Sequence, residues 1–183
     1  MSAVIKNTSS ALLFLVLGHT TSTVLAQAHA PVPSITDATL DQYRDMYQQS
    51  PLCTKAEITL WSCETSKRVF SLCSSPIVTR TTGYLQYRAS NAGKPTFAFP
   101  SIKAPPHGLF KYHAFGNGNA SIEFTNNGYH YSLEDPLRDQ SSIVVTTPGA
   151  SGKKTEIACG PNQTLQVNYT MRLMYDAGVW EGD

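Results

Sequence analysis

The sequence predicts an all-β fold, an antiparallel β-sandwich or small up-and-down β-barrel of about eight or nine strands, with a short N-terminal helix and a C-terminal tail that can be read as a helix. Three observations lead there. From Glu57 to about Cys159 apolar and polar side chains alternate with period two. Gly, Asn, Pro or Ser breaks the alternation every eight to twelve residues or so, the punctuation of antiparallel strands. The chain also carries four cysteines behind a leader-like start, an even count that suits a disulfide framework in an exported protein.

In chain order, Lys6, the apolar run 11–17 and the small-residue pattern Ala26-Gln27-Ala28 have the layout of a secretory signal cut near Ala28. The run is shorter than the roughly 20 apolar residues a membrane-crossing helix needs. Removing residues 1–28 takes away Lys6 and leaves 13 basic against 13 acidic residues. That balance gives no reason to expect a nucleic-acid or anionic-membrane partner, since both reward clustered Lys and Arg. The mature chain divides into an N-terminal segment, 29–52, and a disulfide-stabilised β domain, 53–183. In the first, Thr39 and Gln42 can form a capping box for a helix over Leu40–Gln49, stopped by Ser50-Pro51.

Three hairpins follow. A loop Thr65-Ser66-Lys67 sets Leu60 opposite Leu72 and Ser62 opposite Phe70, with Cys63 facing Val69 and Cys73 facing Thr59. A three-residue loop Asn91-Ala92-Gly93 sets Tyr87 opposite Phe97 and Leu85 opposite Phe99, leaving Tyr84, Gln86, Arg88, Thr96 and Ala98 on the wet face. Asn127-Gly128, a type I′ signal, sets Phe124 opposite Tyr131 and Ile122 opposite Leu133. Further strands are expected over 108–115, 142–147 and 155–159. After Leu165 the pattern fits either strand or helix, with a helix near Asn168–Ala177 preferred.

The first hairpin decides the cysteine chemistry. Its register leaves Cys63 and Cys73 about four residues apart along the strands, on the order of 13 Å, whereas a disulfide needs Cα atoms within roughly 7 Å. The expected pairs are therefore Cys53–Cys73 and Cys63–Cys159. Cysteine spacings of 10, 10 and 86 residues do not suit a zinc site, and an even count leaves no thiol over for catalysis.

Trp61-Ser62-Cys63-Glu64-Thr65-Ser66-Lys67-Arg68-Val69-Phe70-Ser71-Leu72-Cys73, followed by Gly83-Tyr84-Leu85-Gln86-Tyr87-Arg88, resembles a group of uncharacterised secreted bacterial proteins over most of the mature chain. The aromatic-x-Cys start with Lys67 in its turn is similar, over about a dozen residues, to the first hairpin of the small periplasmic inhibitors of C-type lysozyme, which are antiparallel β-barrels. Those inhibitors usually have Gly where this chain has Ser66, and they are shorter. Their lysozyme-contacting Ser and Lys motif has no match here, so no site residue carries over. The resemblance implies a periplasmic or secreted location and makes inhibition an expectation to test.

Of the histidines left after cleavage, His113 and His130 fall on outward faces. If 108–115 pairs with 120–126 around Asn117-Gly118-Asn119, then Lys111, His113, Glu123, Thr125 and His130 share one outer surface. That surface is the candidate recognition site; a solvated sheet face is the simpler account of the same pattern. Metal or general-base chemistry would require two histidines to converge with a carboxylate such as Glu123. Other templates fail. The Gly116–Asn119 run lies between strands rather than before a helix, Gly149–Gly152 lacks the spacing of a nucleophile elbow, and Glu134 and Asp135 face opposite ways. The expected function is a non-enzymatic binding protein of the envelope or exterior, without cofactor or metal, engaging a protein or glycan. The alternatives are a hydrolase with a site assembled from dispersed residues and a lipocalin-like carrier of an apolar ligand.

Overall fold

The structure, a computed structural model, describes residues 49–115, 119–136 and 139–160, and the backbone of 164–165. The leader, the helix expected over Leu40–Gln49 apart from Gln49 itself, and the tail helix lie outside the described residues. Period-two segments became strands and the Gly, Asn and Pro clusters became turns. The first sheet contains β1 (Ile58–Glu64), β2 (Arg68–Ser74), β3 (Leu85–Asn91) and β4 (Lys94–Ala104). The second contains β5 (Lys111–Ala114), β6 (Ala120–Asn126), β7 (Tyr129–Asp135), β8 (Ser142–Thr146) and β9 (Lys154–Ala158). A two-residue strand, β10 (Thr164–Leu165), pairs with β1.

All pairings are antiparallel, and β1–β4 and β5–β9 are each meanders in sequence order, with β10 added to the β1 edge of the first sheet. Among the described residues no strand of one sheet is hydrogen-bonded to a strand of the other, so the fold is a sandwich and the barrel alternative does not close. Its core is aromatic. Tyr87 and Phe99 of the first sheet meet Phe124 of the second at 5.1 and 4.6 Å between ring centroids, and Phe124 stacks on Tyr131 at 4.6 Å. Phe110 closes this group edge-on against Phe99 and Phe124. Each large apolar side chain removed from water contributes about 1.5–3 kcal/mol, so this column is a main source of the sandwich's cohesion.

The Asn127-Gly128 hairpin has the register that its turn type imposes: Phe124 opposite Tyr131 and Ile122 opposite Leu133. Both turn residues have positive φ, 50° and 79°, as type I′ requires. The second hairpin differs from expectation. Ala92 itself takes a positive φ of 48°, beside Gly93 at 77°, so the loop closes in two residues with Asn91 opposite Lys94. An extra residue at Thr96 then sets Ala89 opposite Phe97 and Tyr87 opposite Phe99. The net slip is two residues, which preserves the facing of each side chain.

The first hairpin also closes in two residues. Thr65 N–H donates to Arg68 O, and Thr65 Oγ1 accepts from Arg68 N–H, leaving Ser66-Lys67 as the turn. Cys63 therefore faces Phe70 and Trp61 faces Leu72, until a bulge at Leu60 restores the expected Thr59–Cys73 pair. The bulge also lets both Leu60 and Trp61 join the core.

The disulfides are Cys53–Cys73 and Cys63–Cys159. The first pins residues 50–57 over the outer face of the first sheet, where Ser50 Oγ meets Ser71 Oγ and Ser50 N–H donates to Thr59 Oγ1. Gln86, expected on the wet face, is therefore 6% exposed, and Arg88 is mostly covered. A sheet whose alternation suggests one dry side has a second, polar layer. The other disulfide joins β1 to the residue just after β9, bridging the seam between sheets.

Ala92 provides a direct test of the turn. A non-glycine residue held in the left-handed region costs roughly 1 kcal/mol, and Asn tolerates that region better than Ala. Ala92→Asn, which creates the preferred Asn-Gly pair at an exposed site, is expected to raise stability by up to about 1 kcal/mol. Chemical denaturation will measure it. A loss of stability would contradict the two-residue turn.

Candidate functional site

The site residues expected from sequence sit on three adjacent strands of the second sheet. Lys111 and His113 are two apart on β5, Glu123 and Thr125 two apart on β6, and His130 lies near the start of β7. The pairings Lys111–Glu123, His113–Ser121 and Thr125–His130 put all five on the outer face. Glu123 is the hub. Its Oε2 lies 3.4 Å from His113 Nε2 and 3.4 Å from His130 Nε2, distances at which the contact gains charge when either ring is protonated. His113 and Glu123 are about three-quarters covered, while His130 is 44% exposed.

The histidines approach along opposite diagonals, one from the pair at Ser121 and the other from the pair at Thr125. Both rings meet the same carboxylate oxygen, Glu123 Oε2. Among the described residues no three of His, Cys, Asp and Glu form a metal-holding group.

Four of the five residues, Lys111, Glu123, Thr125 and His130, line a cleft of about 460 Å³ with Phe99, Leu109 and Phe124. Phe110 N–H and Leu109 N–H both turn back to Pro106 O. The backbone thus leaves β6 one residue before it would pair with Phe124, and the cleft opens at that departure. His113 is not on the cleft wall and touches Glu123 instead. An apolar floor with a few polar groups at its rim is the usual composition of a small-ligand site. Among the described residues Glu123 is the one carboxylate on this wall, so those residues do not supply the carboxylate pair of a glycosidase there. Glu134 and Asp135 point apart as expected, one exposed and the other buried.

A second polar cluster escaped the sequence reading. Glu57, with a 1% exposed side chain, accepts hydrogen bonds from Arg88 Nη1 and Nη2 at 2.7 and 2.6 Å. It also accepts from Thr54 N–H and the Tyr84 hydroxyl, each at 2.7 Å, and from Lys103 Nζ at 3.0 Å. Arg88 further donates to Leu52 O and Gln86 Oε1. Burial alone would raise the Glu57 pKa, but the donors, led by Arg88, outweigh it and hold the carboxyl well below the usual carboxylate range. The Tyr84 and Glu57 contacts raise the pKa of Lys103. The signal was present in sequence: Tyr84, Gln86 and Arg88 alternate on one face, under a loop that Cys53–Cys73 ties down. This cluster fastens residues 50–57 to the sheet.

The two disulfides suit an oxidising, extracytoplasmic compartment. Among the described residues no helix is long and apolar enough to cross a membrane. Comparison with protein-family models, curated proteins and solved structures finds no match to this chain.

Proposed function

We propose that the chain is exported, cut near Ala28, and serves in the periplasm or outside the cell as a non-catalytic binding protein whose second-sheet cleft takes a glycan. One observation carries this reading: Lys111, Glu123, Thr125 and His130 surround an aromatic-floored cleft of about 460 Å³. A carboxylate, a cation and a hydroxyl spaced around an apolar floor match a sugar ring, which offers hydroxyls at its edge and C–H groups on its face. Calorimetric titration of the oxidised mature chain with soluble peptidoglycan fragments tests it. Saturable binding is expected, and Glu123→Gln and Lys111→Ala should each weaken it about tenfold, the loss that follows removal of a charged hydrogen-bonding partner. No binding, or binding that both variants leave unchanged, rejects the cleft as the site.

A protein partner is the second reading. It is supported by the likeness of the first hairpin, whose turn stands exposed, to periplasmic lysozyme inhibitors. In a lysis assay this reading requires C-type lysozyme to slow when the oxidised chain is in micromolar excess. Unchanged lysis excludes it.

A further inference from the structure

The two sheets part at the end where the Ser66-Lys67, Ala92-Gly93 and Asn127-Gly128 turns lie. There they leave a cleft of about 390 Å³ running inward between them. Its floor is Tyr87 and Ile143, 2% and 0% exposed. Its walls are Phe97 on one sheet and Tyr131, Val145 and Ile157 on the other. Beside the rings of Tyr87, Phe97 and Tyr131 the lining is the small Ala89 and the aliphatic Ile143, Val145 and Ile157. The Cys63–Cys159 bridge is close by, since Cys63 pairs with Phe70 and Cys159 follows Ile157 by two residues. A protein interior is otherwise packed at near-crystalline density, and this volume equals the liquid share of about a dozen waters, which an apolar lining holds poorly.

The mouth is chemically one-sided. Arg68 stands exposed on the rim, with Asn91 and Thr96 near it and Tyr129 41% exposed. None of the described residues lining this cleft is acidic. An apolar slot ending at a guanidinium is complementary to one class of molecule, because Arg binds a carboxylate through paired hydrogen bonds while the slot accepts hydrocarbon. We propose that this inter-sheet cleft is a second binding site, separate from the glycan cleft, for an amphipathic monocarboxylate whose aliphatic or aromatic body lies between the sheets and whose carboxylate meets Arg68. Burial raises the pKa of the Tyr87 phenol, with a further contribution from Tyr131, so the floor stays neutral and repels no apolar body.

The probe is 11-(dansylamino)undecanoic acid, with its methyl ester as the uncharged counterpart, added to the oxidised mature chain below the concentration at which either aggregates. Saturable fluorescence enhancement with the acid is expected. Arg68→Gln, at an exposed position, should weaken the acid about tenfold and leave the ester unchanged, the loss of one charge-assisted pair. Val145→Trp, which fills the slot from a half-buried position, should abolish binding of both while far-ultraviolet circular dichroism stays that of the parent. Glu123→Gln should change neither, which keeps this site distinct from the glycan cleft. The proposal is overturned if no saturable enhancement occurs, if Arg68→Gln affects acid and ester equally, or if a folded Val145→Trp protein still binds. Should Val145→Trp fail to fold, the comparison of acid with ester on Arg68→Gln decides alone.

Discussion

Glu57→Gln is expected to destabilise the oxidised chain by about 3–5 kcal/mol at neutral pH, the cost of leaving a buried charge without its partner. The substitution keeps the shape of the side chain but withdraws the charge that Arg88, Lys103 and Tyr84 share. Arg88 is then left largely buried with a neutral amide. Urea denaturation of parent and variant will measure the difference, and a change below about 1 kcal/mol would show that the cluster is dispensable. Lys103→Ala is the contrast: its side chain is 47% exposed, so its loss is expected to cost less than about 1 kcal/mol. The same carboxylate gives stability a pH dependence of defined sign. Because folding lowers the Glu57 pKa from its usual 4.5, the stabilisation is fully present above that value and is lost as pH falls below it toward the folded-state pKa. The parent should weaken more steeply with acidification than Glu57→Gln, which has no proton to take up there.

The second large effect concerns the seam between the sheets. Replacing both Cys63 and Cys159 by Ala should lower stability by about 4–5 kcal/mol, whereas the Cys53→Ala, Cys73→Ala pair should cost about 3. The difference follows from loop closure. One bridge spans 96 residues and the other 20, and the unfolded chain loses more freedom when distant points are joined. Removing both partners of a bridge avoids stray thiols. The two effects should also differ in kind. Loss of the seam bridge frees one sheet from the other and should disturb the near-ultraviolet signal of the aromatic stack, whereas loss of the short bridge releases residues 50–57 and weakens the Glu57 cluster. If the short bridge costs as much as the long one, the sheets are held together by packing alone.

The parts of the fold legible in sequence were those where a single residue type determines the backbone. Asn127-Gly128 admits one tight turn, and its register followed without error. Ala92 carries no such mark: its left-handed conformation is fixed by context, including the hydrogen bond from its N–H to Lys67 O, so the loop was expected to be one residue longer. At the first turn the Thr65 side chain replaced a backbone acceptor, shifting the register by one until the bulge at Leu60 reversed it. The disulfides were nevertheless legible, because Cys63 and Cys73 stay three to four residues apart along the strands under either register, roughly 10–13 Å. The outer-face site was legible for the same reason as the strands, since alternation places Lys111, His113, Glu123, Thr125 and His130 without knowledge of the core. What alternation could not supply was the distance from Glu123 to each histidine or the cleft left by the departure of Phe110. Nor could it reveal Glu57, whose partners Arg88 and Lys103 lie 31 and 46 residues away and meet it only once a loop has folded over the sheet.

The in-order arrangement of both sheets bears on how the molecule is made. Within β1–β4 and within β5–β9 each strand pairs with the one synthesised just before it, so each ribbon can zip up progressively with little searching through chain space. Oxidation cannot proceed with the same immediacy. Cys73 can meet Cys53 while most of the second sheet is still to come, but the thiol of Cys63 must wait for nearly a hundred further residues, and the first hairpin protects it meanwhile by keeping it out of reach of the partner that matures first.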